Sequence, residues 1–178
     1  GLPPPVGLRN TLLGSVYGLA LFGCSAATVV CYPHSPMYLL SVMALVWVAD
    51  IGAYFSGKAF GKRKLAPSIS PGKSWEGAIG GGIAVLLFSA ALIVSDNPMV
   101  ADTFVVKLQS SRGWLAAMAI LAVIVAASVV GDLFESMLKR RAGVKDSSKL
   151  LPGHGGVLDR IDALVPVLPF AALIDAWL

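Results

Sequence analysis

The sequence predicts an all-α fold: a polytopic integral membrane helical bundle of about five transmembrane helices, with its chemistry in loops at one face. Three observations predict it. First, 56% of the 178 residues are hydrophobic and the mean hydropathy is +0.77. Second, only 13% are charged, about half the share of a soluble domain. Third, the apolar residues gather into runs near the ~17–25 residues that cross a bilayer as a helix. The short alternating segments of a closed β-barrel are absent.

Taken in order, the first span is expected over 12–31, after a Pro-rich connector, Gly1–Thr11, with no basic stretch and cleavage site of a signal peptide. Cys24 and Cys31 lie in this span seven residues apart, too far along one helix for a disulfide, and read as small packing residues. Tyr32-Pro33-His34-Ser35-Pro36 ends the run. The second span is expected over 37–55, a basic loop over 58–73, the third span over 75–94, and a mildly polar loop up to Gly113. The fourth span is expected over 114–130 and the fifth over 161–178. Five spans place Arg9 and the two basic loops on the same side. That gathers twelve of the fourteen Lys and Arg residues, leaving only Lys107 and Arg112 opposite. The positive-inside rule assigns the basic side to the cytoplasm. The expectation is therefore one membrane-embedded domain over 1–178, part of a longer chain, with its basic loops facing the cytoplasm.

The residues from Gly131 to Leu164 hold six of the fourteen basic residues and five of the ten acids. Asp132 and Glu135 share a helix face at the end of the fourth span, where acids oppose the helix dipole. Asp159 and Asp162 repeat the spacing at the start of the fifth. Four carboxylates on neighbouring helix ends suit Mg²⁺, which takes one or two carboxylates and completes its shell with substrate phosphates. Salt bridging to Arg140, Arg141 and Arg160 is the alternative. Pro152-Gly153-His154-Gly155-Gly156 offers a backbone able to wrap a phosphate ahead of a helix N-terminus. Lys139, Arg140 and Arg141 mark topology or draw an anionic lipid headgroup.

Three features lie outside this stretch. Gly72-Lys73-Ser74 has the end of a P-loop but Pro67 stands at its first glycine position, and no strand is expected before it. The segment can still serve a phosphate, through backbone approach at Gly72 and the charge of Lys73. Asp50 lies in the second apolar run, 7–8 Å below a helix end at Phe55, a costly place for a carboxylate. Glu76 suits the first turn of the third span through the helix dipole or belongs to the site. Gly77-x-x-x-Gly81 allows close helix approach. Asp175, near the far end of the last span, is expected to reach water.

Ser136-x-x-Lys139-Arg140, then Lys145-Asp146, then Leu151-Pro152-Gly153-His154-Gly155-Gly156-x-x-Asp159-Arg160-x-Asp162 resembles the signature of the phosphatidate cytidylyltransferase (CDP-diacylglycerol synthase) family. Ser70-Pro71-Gly72-Lys73-Ser74-Trp75-Glu76-Gly77 resembles a second motif of that family. The likeness covers about Val46 to the end. It implies a nucleotidyltransferase that makes CDP-diacylglycerol and pyrophosphate from CTP and phosphatidate in the lipid bilayer, with Mg²⁺ and, beside it, a cation such as K⁺. It implies catalytic roles for Asp132, Asp159, Lys145 and Asp146, and metal binding by Asp132, Asp159 and Asp162, with Asp146 and Asp50 as further contacts. Substrate binding falls to Ser70, Gly72, Lys73, Ser136, Lys139, Arg140, His154, Gly155, Gly156 and Arg160. A homodimer is a further expectation; nucleic acid is not an expected partner. The rivals are a CTP-dependent relative with another lipid acceptor, such as a CDP-archaeol synthase or a polyprenol kinase, a transporter for an anionic solute, and a non-catalytic scaffold.

Overall fold

The computed structural model describes residues 8–31, 35–95, 97–144, 147 and 158–177, with side chains of α1 from Leu13 onward and without that of Arg160. The element order is α1 (Leu8–Cys31), α2 (Pro36–Phe60), β1 (Lys64–Ala66), β2 (Ser70–Ser74), α3 (Trp75–Val94), α4 (Phe104–Arg141), α5 (Leu158–Ile161) and α6 (Leu164–Asp175). A single 3-10 turn, Pro98–Val100, precedes α4. Among the described residues four helices are long and apolar enough to cross a membrane, and the chain is an all-α integral membrane protein.

The termini of these helices follow local chemistry. Ser35 caps α2, its side chain accepting from Met37 N, and Pro36 opens the helix, where its missing N–H costs nothing. Ser74 caps α3 in the same way, accepting from Gly77 N. The last turn of α4 carries Lys139, Arg140 and Arg141, which complement the negative end of the helix dipole.

Two helices run further than their apolar stretches. α2 continues through Ser56-Gly57-Lys58-Ala59 to Phe60 rather than stopping at Phe55. Asp50 therefore sits about 15 Å below the helix end, twice the expected depth. α4 begins at Phe104 and reaches Arg141. Gly113 breaks it, with φ 79° and ψ 171°, into a nine-residue leading segment and a long helix from Trp114. That backbone conformation is open almost only to glycine. Gly113→Ala is expected to cost about 1–3 kcal/mol, seen as a lowered thermal midpoint in detergent; an unchanged midpoint would mean the break relaxes freely.

The fifth apolar segment folds as the one-turn α5 and the 12-residue α6. Between α2 and α3 the expected loop is an antiparallel hairpin, with Lys64 opposite Ser74 and Ala66 opposite Ser70 and an irregular register between. Pro71, which has no N–H to give the ladder, lies in the irregular part. The turn closes through Ile69 N donating to Ala66 O at 3.1 Å. The strand corrects the expectation that none is present. Even so, Gly72, Lys73 and Ser74 form β2 itself rather than a phosphate-wrapping loop after it.

α2 and α3 pack backbone to backbone. A Cβ on Gly81 would meet Ala49 O at 2.5 Å, and one on Gly77 would meet Ala53 O at 2.9 Å. α1 lies on α6, with Gly23 against Pro169 and Cys24 Sγ 3.9 Å from Leu164 O. Both cysteines are free and buried, as expected. At the end far from the hairpin, Phe104 N donates to Ser41 Oγ at 2.9 Å and the Phe104 and Tyr38 rings meet edge to face. There Asp175 engages the Tyr38 hydroxyl instead of reaching water, and Arg112 donates to Trp177 O.

Candidate active site

At the opposite end, the hairpin folds back over the ends of α2, α3 and α4. A cavity of about 400 Å³ lies beneath it. Asp50, Tyr54 and Lys58 of α2 line one wall, at the four-residue spacing of a single helix face. Ser128 and Asp132 of α4 line another, again four apart, and Gly77 and Gly81 of α3 form a floor without side chains. Gly72 and Lys73 descend from β2.

Lys73 Nζ donates to Asp132 Oδ2, joining residues 59 apart in sequence and bringing the hairpin onto α4. Ser136 Oγ, one turn on, lies 3.4 Å from Asp132 Oδ1. One turn further, Lys139 Nζ donates to Asp159 Oδ1 at 2.6 Å and pairs with Glu135 Oε1 at 3.3 Å. Asp159 also accepts from Ser147, whose N lies 2.9 Å and Oγ 2.8 Å from Oδ2. Asp162 Oδ1 accepts from Ala163 N at 2.8 Å, close to the start of α6. Glu135 is 1% exposed; besides the Lys139 ion pair its carboxyl meets the carboxyl of Asp162. The result is an alternating run of acids and lysines along one face of α4, closed by α5.

The approach of α6 depends on Gly131. A Cβ there would lie 2.7 Å from Pro166 Cδ. The glycine lets α6 lie against α4 and so brings Asp159 and Asp162 beside Asp132 and Lys139.

Of the residues expected to form the site, Lys73, Asp132, Ser136, Lys139, Asp159 and Asp162 converge here. Gly72 is on the cavity wall and Ser70 at the far end of β2, opposite Ala66. Arg140 points to the hairpin turn, its Nε donating to Ile69 O at 3.3 Å. Glu76 lies outside the cavity lining; its carboxylate accepts from Lys62 N and Arg63 N, each at 3.2 Å, and fixes the entry to the hairpin. Lys145, Asp146, His154, Gly155, Gly156 and the side chain of Arg160 lie outside the described residues. Among the described residues no three His, Cys, Asp or Glu converge as a metal site, so Asp132, Asp159 and Asp162 are not a preformed triad. Sequence reasoning missed Ser147, Ser128, Tyr54 and Lys58. The last three lie at helical spacing from Asp132 or Asp50, a signal that was available; nothing in the spacing pairs Ser147 with Asp159.

Residues 8–177 match the cytidylyltransferase family. The chain belongs to this family. The match covers every described element, from α1 to α6. A phosphatidate cytidylyltransferase of Haemophilus influenzae is 56% identical over 145 residues, 78% of this chain and 47% of its own length. One from Pseudomonas aeruginosa is 55% identical over 146 residues, 82% of this chain and 50% of its own. One from Mycobacterium bovis is 33% identical over 185 aligned positions, 100% of this chain and 53% of its own. This cytidylyltransferase chain thus spans about half the length of the curated relatives it matches.

Proposed function

We propose that the chain is the membrane-embedded catalytic part of a phosphatidate cytidylyltransferase, transferring CMP from CTP to phosphatidate to give CDP-diacylglycerol and pyrophosphate. The observation that carries this reading is the convergence of Lys73, Asp132, Lys139 and Asp159 from the hairpin, α4 and α5 beside a cavity walled by membrane helices. The names of the similar proteins support it. The site faces the cytoplasm, where CTP is found, in a bacterial inner membrane. Assembly as a homodimer belongs to the reading through the family resemblance alone.

The chemistry follows from charge. A phosphatidate oxygen attacks the α-phosphorus of CTP, the new P–O bond forms, and the bond to the β-phosphate oxygen breaks to release pyrophosphate. The attacking oxygen is already anionic at neutral pH, so no strong base is needed. The obstacle is the approach of two polyanions, which lysines overcome by position and charge. Lys73 exchanges Asp132 for a phosphate oxygen, and Lys139 holds a second one while remaining tethered between Glu135 and Asp159. Ser136 and Ser147 supply hydroxyl donors at the edges. Arg140 acts through the hairpin, keeping Lys73 over the cavity.

The donor set also fits Mg²⁺. The carboxylates of Asp132 and Asp159 each already compensate an ammonium group, a place that a hard cation can share, and Mg²⁺ needs only one or two carboxylates besides phosphate oxygens. Asp132 and Asp159 would hold it, with Asp162 as a further oxygen donor and K⁺ alongside. It would neutralise charge developing on the phosphates.

Transfer of label from α-labelled CTP into lipid, with phosphatidate and Mg²⁺, tests the reading. The full-length protein is expected to label lipid only when both substrates are present, and Asp159→Asn to lose at least about 100-fold, the scale of removing a preorganised charge contact. Label that ignores phosphatidate would point to another acceptor, and none at all to a transporter or scaffold.

A further inference from the structure

The cations expected to meet a lipid headgroup at the end of α4 are already engaged. Lys139 sits between Glu135 and Asp159, Arg140 donates to Ile69 O, and Arg141 also has a partner. Four exposed cations lie at another corner. Lys58 is in the last turn of α2, and Lys62, Arg63 and Lys64 lead into the hairpin. Among the described residues none of these four forms an ion pair with an acid. Glu76, which lies against the corner, uses its carboxylate on the backbone N–H groups of Lys62 and Arg63. Two aromatic side chains flank the cations: Tyr54, 63% exposed, and Trp75, 55% exposed. Trp75 N donates to Arg63 O at 3.0 Å, and Lys58 Nζ lies 5.9 Å above the Tyr54 ring.

Exposed Tyr and Trp beside Lys and Arg at the end of a membrane helix match the water–lipid boundary, where rings settle at headgroup depth and cations meet lipid phosphates. Charge complementarity therefore selects an anion that arrives with apolar chains. The corner is also continuous with the cavity, because Tyr54 and Lys58 belong to both. From Lys58, one face of α2 runs down past Tyr54 to Asp50, with Lys73 lining the same cavity. A headgroup held at Lys58 stands at the mouth, and Lys73 is the next cation inward.

We propose that the corner formed by Lys58, Lys62, Arg63 and Lys64, with Tyr54 and Trp75, docks an anionic phospholipid of the surrounding leaflet and delivers its phosphate to the cavity. The delivery rests on the function proposed above; the docking does not. Lys58 and Arg63 hold the phosphate, and the acyl chains lie along the face of α2 that carries Tyr54.

The test reads docking without turnover. The full-length protein, keeping Trp75 as the only tryptophan of this chain (Trp47, Trp114 and Trp177→Phe), is placed in phosphatidylcholine nanodiscs. Either phosphatidate or phosphatidylcholine with chains brominated near the headgroup is added at equal mole fraction. Brominated phosphatidate is expected to quench Trp75 about twofold more than the brominated phosphatidylcholine, and high salt to remove the excess, as for any electrostatic lipid contact. The excess is expected to vanish in Lys58→Gln/Arg63→Gln and to survive in the charge-conserving Lys58→Arg/Arg63→Lys. Equal quenching by the two lipids, or an excess that persists in the Gln variant, would overturn the proposal. No CTP is present, so a failure of nucleotide transfer would leave the quenching result unaffected.

Discussion

Lys139→Met is expected to abolish transfer of label from CTP to lipid and to destabilise the protein by about 3–5 kcal/mol, the cost of leaving a buried charge unpaired. Its ammonium group is the ion-pair partner of two acids whose side chains are almost enclosed, Glu135 at 2% and Asp159 at 11% exposure. Asp159 keeps Ser147 when the lysine is lost. Glu135 keeps only the carboxyl of Asp162, a second acid that cannot replace the lysine's charge. Adding Glu135→Gln is therefore expected to restore most of the thermal midpoint and none of the activity. That split separates the two tasks of Lys139. If the double variant stayed as unstable as the single one, Glu135 would not be the source of the cost.

Gly81→Val is the second change with a large effect. The close contact of α2 and α3 leaves no room for a side chain: a Cβ would stand 2.5 Å from Ala49 O and 3.2 Å from Ala53 Cβ. Neither neighbour is a flexible side-chain end that could move aside. The expected loss is at least the ~1–3 kcal/mol of an overpacked core. Transfer activity should fall with it, because Gly81 is also on the cavity floor. Gly82→Ala, one residue on, is the control. Its Cβ meets only Val125 Cγ1, at 3.8 Å, and the thermal midpoint should hardly change. Equal effects from the two substitutions would show that α2 and α3 are not held by this contact.

The contrast between neighbouring glycines also shows what the sequence could disclose. α3 spans Trp75–Val94, the range expected, because Ser74 and the end of the apolar run mark its two limits. α2 and α4 exceed expectation because hydrophobicity reports where a helix meets lipid, not where its hydrogen bonds stop. Ser56 to Phe60 and Asp132 to Arg141 remain helical while turning polar. That is how Asp132, Ser136 and Lys139 come to lie on one face. The hairpin was not legible: residues 64–74 have no apolar alternation and contain two prolines. Contacts made elsewhere, Lys73 with Asp132 and Arg140 with Ile69 O, tie it in place. The motif named most of the converging residues, but not which lysine meets which acid. Arg140, expected to bind substrate, also holds the turn through Ile69 O. Asp50 was recognised as an acid out of place, though at half its depth.

The shortness of α6 has a consequence for the membrane itself. Twelve residues cover about 18 Å, against a hydrocarbon layer about 30 Å thick. The polar groups at its two ends, Asp162 above and Asp175 below, are thus closer together than an undisturbed bilayer allows. Where so short a helix meets lipid, a thinner bilayer or water that follows the helix ends inward makes up the difference. Either response creates a dimple at the point where Asp159 and Lys139 meet. In the function proposed above, a water-soluble nucleotide then descends toward a lipid phosphate that need not leave its leaflet.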